Sequence, residues 1–243
     1  MQNKQVMILD SHVHCGLTLK FEIVKKEWVK AGIDGGVLFS PVEEIYDRFN
    51  PYFYDSEEYK ISREKVHNYL IELVKNNKNL TAFYFVWNDF KIPDKIFKGI
   101  KWHRHSNEPE YDYDSEKCDK FIEYICNNNL PVIIEEEFHN TLRFIERING
   151  RAPIIIPHLG FLNGGYNRLK TEGIFGEPNV YADTALADIY EIEDFAKNFG
   201  TEKLFFGSDF PFGSPLNELN KIKRLFSGND FKKITSANIL KLF

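Results

Sequence analysis

The sequence predicts an α/β fold, a closed (β/α)8 TIM barrel of parallel strands in a single domain over residues 1–243. Three observations lead there. Eight short apolar runs rich in Val, Ile, Leu and Phe are mostly separated by stretches of helical periodicity, the pattern of parallel strands buried on both faces. No Gly-rich phosphate loop follows the first run, as an open doubly wound sheet would usually show. Polar residues collect where the runs end, the face on which such a barrel carries its chemistry.

Strand one is the run from Val6 to Leu9, leading into Asp10-Ser11-His12-Val13-His14-Cys15-Gly16. Alternation along a strand places Asp10, His12 and His14 on one face and Ser11 and Val13 on the other. Two imidazoles two residues apart at a strand exit can reach one metal ion, and imidazole suits zinc as well as iron, copper and nickel. A lone His-x-His pair arises easily by chance, so its weight depends on partners elsewhere.

Residues 21–31 read as a helix with Val24 and Trp28 inward, closed by Gly32 and followed by strand two, Val37 to Ser40, which Pro41 stops. The connection 41–59 carries Tyr46, Phe49, Tyr52, Phe53, Tyr54 and Tyr59; it is either a lid over a pocket or a surface mini-core, and the lid is favoured because long loops tend to be functional. An amphipathic helix over 60–76 shows Val66, Tyr69, Leu70, Leu73 and Val74 on one stripe, with His67 off it and expected at the surface. Strand three is 80–87. A short helical piece over 93–98 leads to strand four, 99–103, with Lys101 and His103 on one face, and then to a polar loop, 104–114, that holds His105.

Ser115 caps a helix carrying Cys118, Phe121, Ile122 and Ile125. Strand five, 130–134, ends in Glu135-Glu136-Glu137; a helix over 141–148 precedes strand six, 153–158, which ends in His158, and a segment runs on to Thr171. Strand seven is 179–184. Ile189, Ile192, Phe195, Ala196 and Phe199 mark the next helix, ended by Gly200. Strand eight, 203–209, ends in Asp209 and is cut off by Pro211, and helical stretches near 216–226 and 231–242 finish the chain.

Composition narrows the function classes. A hydrophobic content of 43% with 28% charged residues fits a soluble globular protein. A formal charge of −5 without blocks of like charge gives no support for a nucleic-acid or membrane-surface partner. Neither a signal peptide's apolar core at residues 1–5 nor a membrane-length run is read, so a cytoplasmic location is expected. The three cysteines, Cys15, Cys118 and Cys126, lack C-x-x-C spacing; Cys118 and Cys126 read as structural, and Cys15 as a small residue filling the mouth rather than a ligand or nucleophile.

The strand exits together bring His12, His14, His103, Glu135, His158 and Asp209 to one mouth, with four of the seven histidines among them. At this point the chain resembles the amidohydrolase superfamily, in its amidohydrolase-2 branch of metal-dependent decarboxylases and lactone hydrolases. The resemblance runs through DSHVHCG (10–16), KGIKWH (98–103), LPVIIE (130–135), PHLG (157–160), NVYADTA (179–185), FFGSDFP (205–211) and the closing SANILKLF, the first of these and FFGSDFP being specific.

The resemblance implies that His12 and His14 bind a divalent metal, that Asp209 is a further ligand that also takes a proton, and that His158 ligates a second ion or contacts the ion's water. Where the family pattern on strand five has His, this chain has Glu135. A carboxylate can still ligate, so Glu135 joins His12, His14, His158 and Asp209 as an expected ligand. Two carboxylates lower the positive charge of the centre and tilt it toward harder ions such as manganese, with zinc still the first expectation, as one or two ions. A carboxylated Lys101 is a further bridging candidate.

The expected activity is metal-dependent hydrolysis of a small carbonyl compound such as a lactone, amide or ester: the ion polarises the carbonyl and activates water, Asp209 takes the proton, and His158 orients the water or stabilises negative charge. His103 and Arg104 are the expected substrate-binding residues, Arg104 suiting a carboxylate. Alternatives are non-oxidative decarboxylation within the same branch, a TatD-like metal-dependent phosphoesterase, and a barrel that binds a small molecule with its metal chemistry degraded. KGIKWH lacks the acidic pattern the phosphoesterases would show, and no basic track for a nucleic-acid backbone is evident. The partners expected are a small-molecule substrate and, at most, a second copy of the chain in a homodimer.

Overall fold

The computed structural model describes residues 6–243; residues 1–5, over which no signal-peptide core is read, lie outside them. Eight strands pair in sequence order, all parallel: β1 (Leu9–His14), β2 (Gly35–Phe39), β3 (Leu80–Phe85), β4 (Gly99–His103), β5 (Val132–Glu135), β6 (Ile154–Ile156), β7 (Val180–Asp183) and β8 (Leu204–Phe205). Main-chain bonds between β1 and the segment leaving β8 complete the ring. Ser11 N donates to Phe206 O at 2.8 Å, Asp209 N to His12 O at 2.8 Å and His14 N to Phe210 O at 3.0 Å. The expected (β/α)8 barrel is what the chain forms.

Strand alternation divides the core in two. Leu9, Val37, Phe39, Phe83, Ile133, Ile155 and Phe205 point inward and fill the barrel, with Ile239 from the C-terminal segment packed against them. Residues next to them in sequence, such as Leu38, Ile134, Ile154 and Ile156, face outward, as does Trp102 of β4. There they meet α1 (Phe21–Ala31), α2 (Glu57–Asn76), α3 (Glu116–Asn127) and α4 (Phe138–Ile148). Each such side chain, fully buried, contributes roughly 1.5–3 kcal/mol, which is why runs of Val, Ile and Phe are required on both faces. Beyond β6 come α5 (Tyr166–Thr171), α6 (Ile189–Phe199), α7 (Pro215–Leu225) and α8 (Gly228–Lys232). Ser115 caps α3 as expected, its hydroxyl accepting from Cys118 N.

Several expectations are corrected. No helix forms over 93–98: the Asp94 carboxylate accepts from Ile96 N and Lys98 N donates to Ala82 O, so the chain turns directly into β4. With Pro93 at its start, the piece is too short to close helical turns of its own. Strand eight is two residues rather than seven, because Phe206 N donates to Ile234 O of the C-terminal segment and leaves the ladder. The last helix breaks after Lys232 into a wide turn and a tight one. His67 is buried, not at the surface: its ring stacks on Tyr84 at 4.2 Å and meets Phe97 edge-on.

The 41–59 connection divides. Val42, Ile45 and Tyr46 are buried, with Tyr46 stacked on Trp87 at 4.3 Å, whereas Phe49, Tyr52 and Tyr54 are exposed. Its first half is therefore a packed mini-core. Tyr46 also reaches the mouth, its hydroxyl lying 2.9 Å from His103 O and 2.8 Å from Glu108 Oε2.

Candidate metal centre

The sequence around β1 does more than alternate. The register with β2 shifts between Asp10 and Val13, so Leu9 and His12 both point into the barrel and Asp10 turns away from the His face. This corrects the expected sharing of one face. The Asp10 carboxylate instead accepts from Trp28 Nε1 of α1 at 3.1 Å and Ser208 Oγ at 2.6 Å. Such a bulge re-aims side chains, and here it sets His12 and His14 at the mouth. Opposite it stands Gly36, where an added Cβ would lie 2.1 Å from Asp10 O. Only a residue without a side chain allows that approach.

Three groups from distant parts of the chain converge. Asp209 Oδ1 lies 3.4 Å from His12 Nε2 and 3.3 Å from His14 Nε2. The other nitrogen of each ring is already committed: His12 Nδ1 to Asp183 Oδ2 at 2.7 Å, and His14 Nδ1 to the Ser40 carbonyl at 3.2 Å. A carbonyl can only accept, so Nδ1 of His14 carries the proton and its Nε2 lone pair faces Asp209; the carboxylate of Asp183 imposes the same on His12. Three lone pairs pointing at one another call for a cation between them. A tetrahedral zinc centre with bonds of ~2.0–2.1 Å has ligand–ligand edges of roughly 3.3–3.4 Å, the spacing of Asp209 Oδ1 from each imidazole nitrogen, and all three atoms lie within 4.8 Å of one another. The donor set fits a divalent ion.

A second triad shares His12 and adds Glu135 and His158. His158 Nε2 lies 3.5 Å from Glu135 Oε2 and 3.9 Å from Asp209 Oδ2, and its Nδ1 donates to the Ala185 carbonyl at 2.9 Å. Lys101 Nζ reaches this triad, at 2.9 Å from Glu135 Oε2 and 3.3 Å from His12 Nε2. His103 Nε2 and His105 Nε2 both meet Glu135 Oε1, at 3.1 and 2.5 Å. Further out, Glu108 joins His103 and His105 as a third grouping, but its oxygens are taken by Tyr46 at 2.8 Å and Arg48 at 2.5 Å. Arg104 is buried beside the mouth with its guanidinium on Glu110, Glu136 and Glu137.

Burial sets the electrostatics. Desolvation, and then the Lys101 charge, holds His12 below the usual imidazole range, so it is neutral. Burial likewise takes His103 down to about 4. Burial works to raise Asp209, but the His14 ring beside it, with the imidazoles of His12 and His158, brings it down to about 2. For His158 burial works downward and is outweighed by the hydrogen bond and charge of Glu135, with Asp183 and Asp209 adding to it, and the imidazole rises to about 9. Both His158 (φ 55°) and Asp209 (φ 53°) sit in the left-handed region, as does Leu159 (φ 50°). Non-glycine residues there carry strain of order 1 kcal/mol each, a feature that concentrates at functional sites. Asp183 Oδ1 pins this turn by accepting from His158 N at 3.0 Å.

All of the residues expected at the site, His12, His14, His103, Arg104, Glu135, His158 and Asp209, are buried at the C-terminal ends of the strands. His12, His14 and Asp209 meet directly; Glu135 and His158 stand beside them; Arg104 is turned to carboxylates outside the cluster. Sequence reasoning missed Asp183. The signal was available, an acid ending strand seven inside the NVYADTA motif, but nothing in the strand itself says that it holds His12. His105, Tyr46, Arg48 and Glu108 were also missed, since they lie on loops whose course no periodicity reports. A surface recess of about 710 Å³ is bounded by His105, Ser106, Phe138, Phe161 and Arg168, and His105 spans from it to Glu135.

Comparison with known proteins gives concordant results. The family model described as amidohydrolase matches residues 91–243. No curated protein matches the chain. Among solved structures, 5-carboxyvanillate decarboxylase from Sphingomonas paucimobilis is similar with a TM-score of 0.73 at 11% identity, over 98% of this chain and 99% of its own. A candidate 2-pyrone-4,6-dicarboxylic acid hydrolase from Pseudomonas putida gives 0.69 at 13% identity, over 98% and 97%. An amidohydrolase from Burkholderia multivorans with bound zinc gives 0.66 at 12% identity, over 97% and 98%. At these identities the likeness is one of fold.

Proposed function

We propose that this chain, which belongs to the amidohydrolase family, is a metal-dependent hydrolase of a small carbonyl compound, a lactone, amide or ester. The observation that carries the reading is the convergence of His12 Nε2 and His14 Nε2 on Asp209 Oδ1, at 3.4 and 3.3 Å, with the opposite nitrogen of each ring tied down. An ion held there, zinc first and manganese next, would polarise the substrate's carbonyl oxygen and make water a better nucleophile.

The chain's own residues do the rest. Held near 2, Asp209 is a carboxylate throughout the neutral range and accepts the proton that the attacking water gives up. His158, its Nδ1 donating to Ala185 O and its imidazole raised by Glu135 and the neighbouring carboxylates, turns Nε2 toward the cluster, where it would orient the water or stabilise negative charge developing on the substrate. His103, neutral and the last residue of the β4 ladder, is placed to contact substrate. Arg104 would take part only by exchanging one of its carboxylate partners for a substrate carboxylate.

Decarboxylation is the second reading, supported by the decarboxylases among the structural neighbours. One assay separates the two. Lactones and aromatic acids are offered to the purified chain before and after chelator dialysis, and products are followed by carbon dioxide release and by incorporation of labelled water oxygen. Hydrolysis predicts chelator-sensitive oxygen incorporation without carbon dioxide. Carbon dioxide release in its place makes the enzyme a decarboxylase, and turnover indifferent to chelation removes the metal from the mechanism.

A further inference from the structure

The two triads that share His12 are not equivalent. The His12–His14–Asp209 triad meets Lys101 through one member alone, His12 Nε2 at 3.3 Å. In the His12–Glu135–His158 triad a cation is already in place, since Lys101 Nζ touches two of the three members, Glu135 at 2.9 Å and His12 at 3.3 Å. Lys101 comes from the middle of β4, is 0% exposed, and lies 4.7 Å from the centre of the Phe39 ring, which adds a cation–π contact. Glu135 has little left to offer a metal. Its Oε2 accepts from Lys101, and its Oε1 faces both His103 and His105.

We infer that the Lys101 ammonium fills the second cation position of this mouth, so that the centre takes one divalent ion and Glu135 serves as the counterion of Lys101 rather than as a metal ligand. The inference rests on the metal reading above and deepens it. Charge points the same way. Lys101 offsets one of the three buried carboxylates Glu135, Asp183 and Asp209, all at most 6% exposed, which leaves less negative charge to hold a second divalent ion. Glu135 suits that place, since a buried ammonium needs a carboxylate partner, which an imidazole cannot provide.

The test is a count of bound zinc by elemental analysis after loading and dialysis, for the wild-type chain, Lys101→Met, Lys101→Arg and the Lys101→Met/Glu135→Gln pair, each checked for folding by circular dichroism. One ion is expected in the wild type and in Lys101→Arg, two in Lys101→Met, where Glu135 is freed to ligate, and one again in the double variant. Two ions in the wild type, or one ion in a folded Lys101→Met, overturns the inference while leaving the first metal site standing. No ion in the wild type overturns the metal reading itself. A variant-free measurement stands beside the count: wild-type chain given carbon-13 bicarbonate should show no lysine carbamate resonance, and such a resonance on Lys101 would also overturn the inference.

Discussion

At His12 the two ring nitrogens have separate tasks, and Asp183 enforces the division by holding Nδ1 at 2.7 Å. In Asp183→Asn the amide can turn its NH2 toward Nδ1, which places the proton on Nε2 and blocks the lone pair that the ion needs. Metal affinity should fall roughly 10–100-fold, as it does when an outer partner of a ligating histidine is lost. Competition with a chromophoric chelator measures it; an unchanged affinity would show that Asp183 does not set the tautomer.

His67, remote from the centre, makes a pH prediction. Burial, reinforced by the Arg63 charge, depresses it from 6.5 to about 3. Between those values the unfolded chain binds the proton and the folded chain does not, so stability falls as pH drops through that window. For this group alone the loss between pH 7 and pH 5 is about 2 kcal/mol. His67→Phe keeps the stack on Tyr84 and should flatten the slope of urea midpoint against pH, and parallel slopes for the two proteins would contradict the assignment. The same residue shows what periodicity misses: off the apolar stripe of α2, His67 is nonetheless covered by Tyr84 and Phe97, contacts that only the packing of β3 against the helix creates.

Among the elements, β1 carries the most information, and alternation describes it with one exception. That His12 and His14 share a face was legible from alternation. That Asp10 leaves it was not, because the register shift depends on β2 and on Gly36 standing opposite. A methyl group at Gly36 would meet Asp10 O at 2.1 Å, so Gly36→Ala must push β1 outward. It should cost about 1–3 kcal/mol, the usual range for overpacking, and weaken metal binding with it. Calorimetry and the chelator competition report the two effects. If stability falls and affinity does not, the bulge is structural and does not position the histidines.

The strands of Val, Ile and Phe were legible nearly to the residue where both faces are buried, as in β4, because burial leaves no freedom in composition. Legibility failed where the chain's own geometry decides: at β8, whose ladder is taken over by Ile234, and over 93–98, where Asp94 closes a turn in place of a helix. Loops were the other blind region. Glu108 and His105 are brought to the mouth by bonds to Arg48 and Glu135, side chains 60 and 30 positions away, which no local pattern records.

On the scale of the whole molecule, the barrel gathers residue 12 and residue 209 by closing β1 onto the segment after β8, through Asp209 N to His12 O at 2.8 Å. Ring closure and site assembly are therefore one event, and the three ligand atoms depend on the last strand finding the first. Anomalous diffraction at the zinc absorption edge from a crystal of the zinc-loaded chain tests this most directly. A single peak within bonding distance of His12 Nε2, His14 Nε2 and Asp209 is expected; a peak at His103, His105 and Glu108 instead, or none at the barrel mouth, would contradict it.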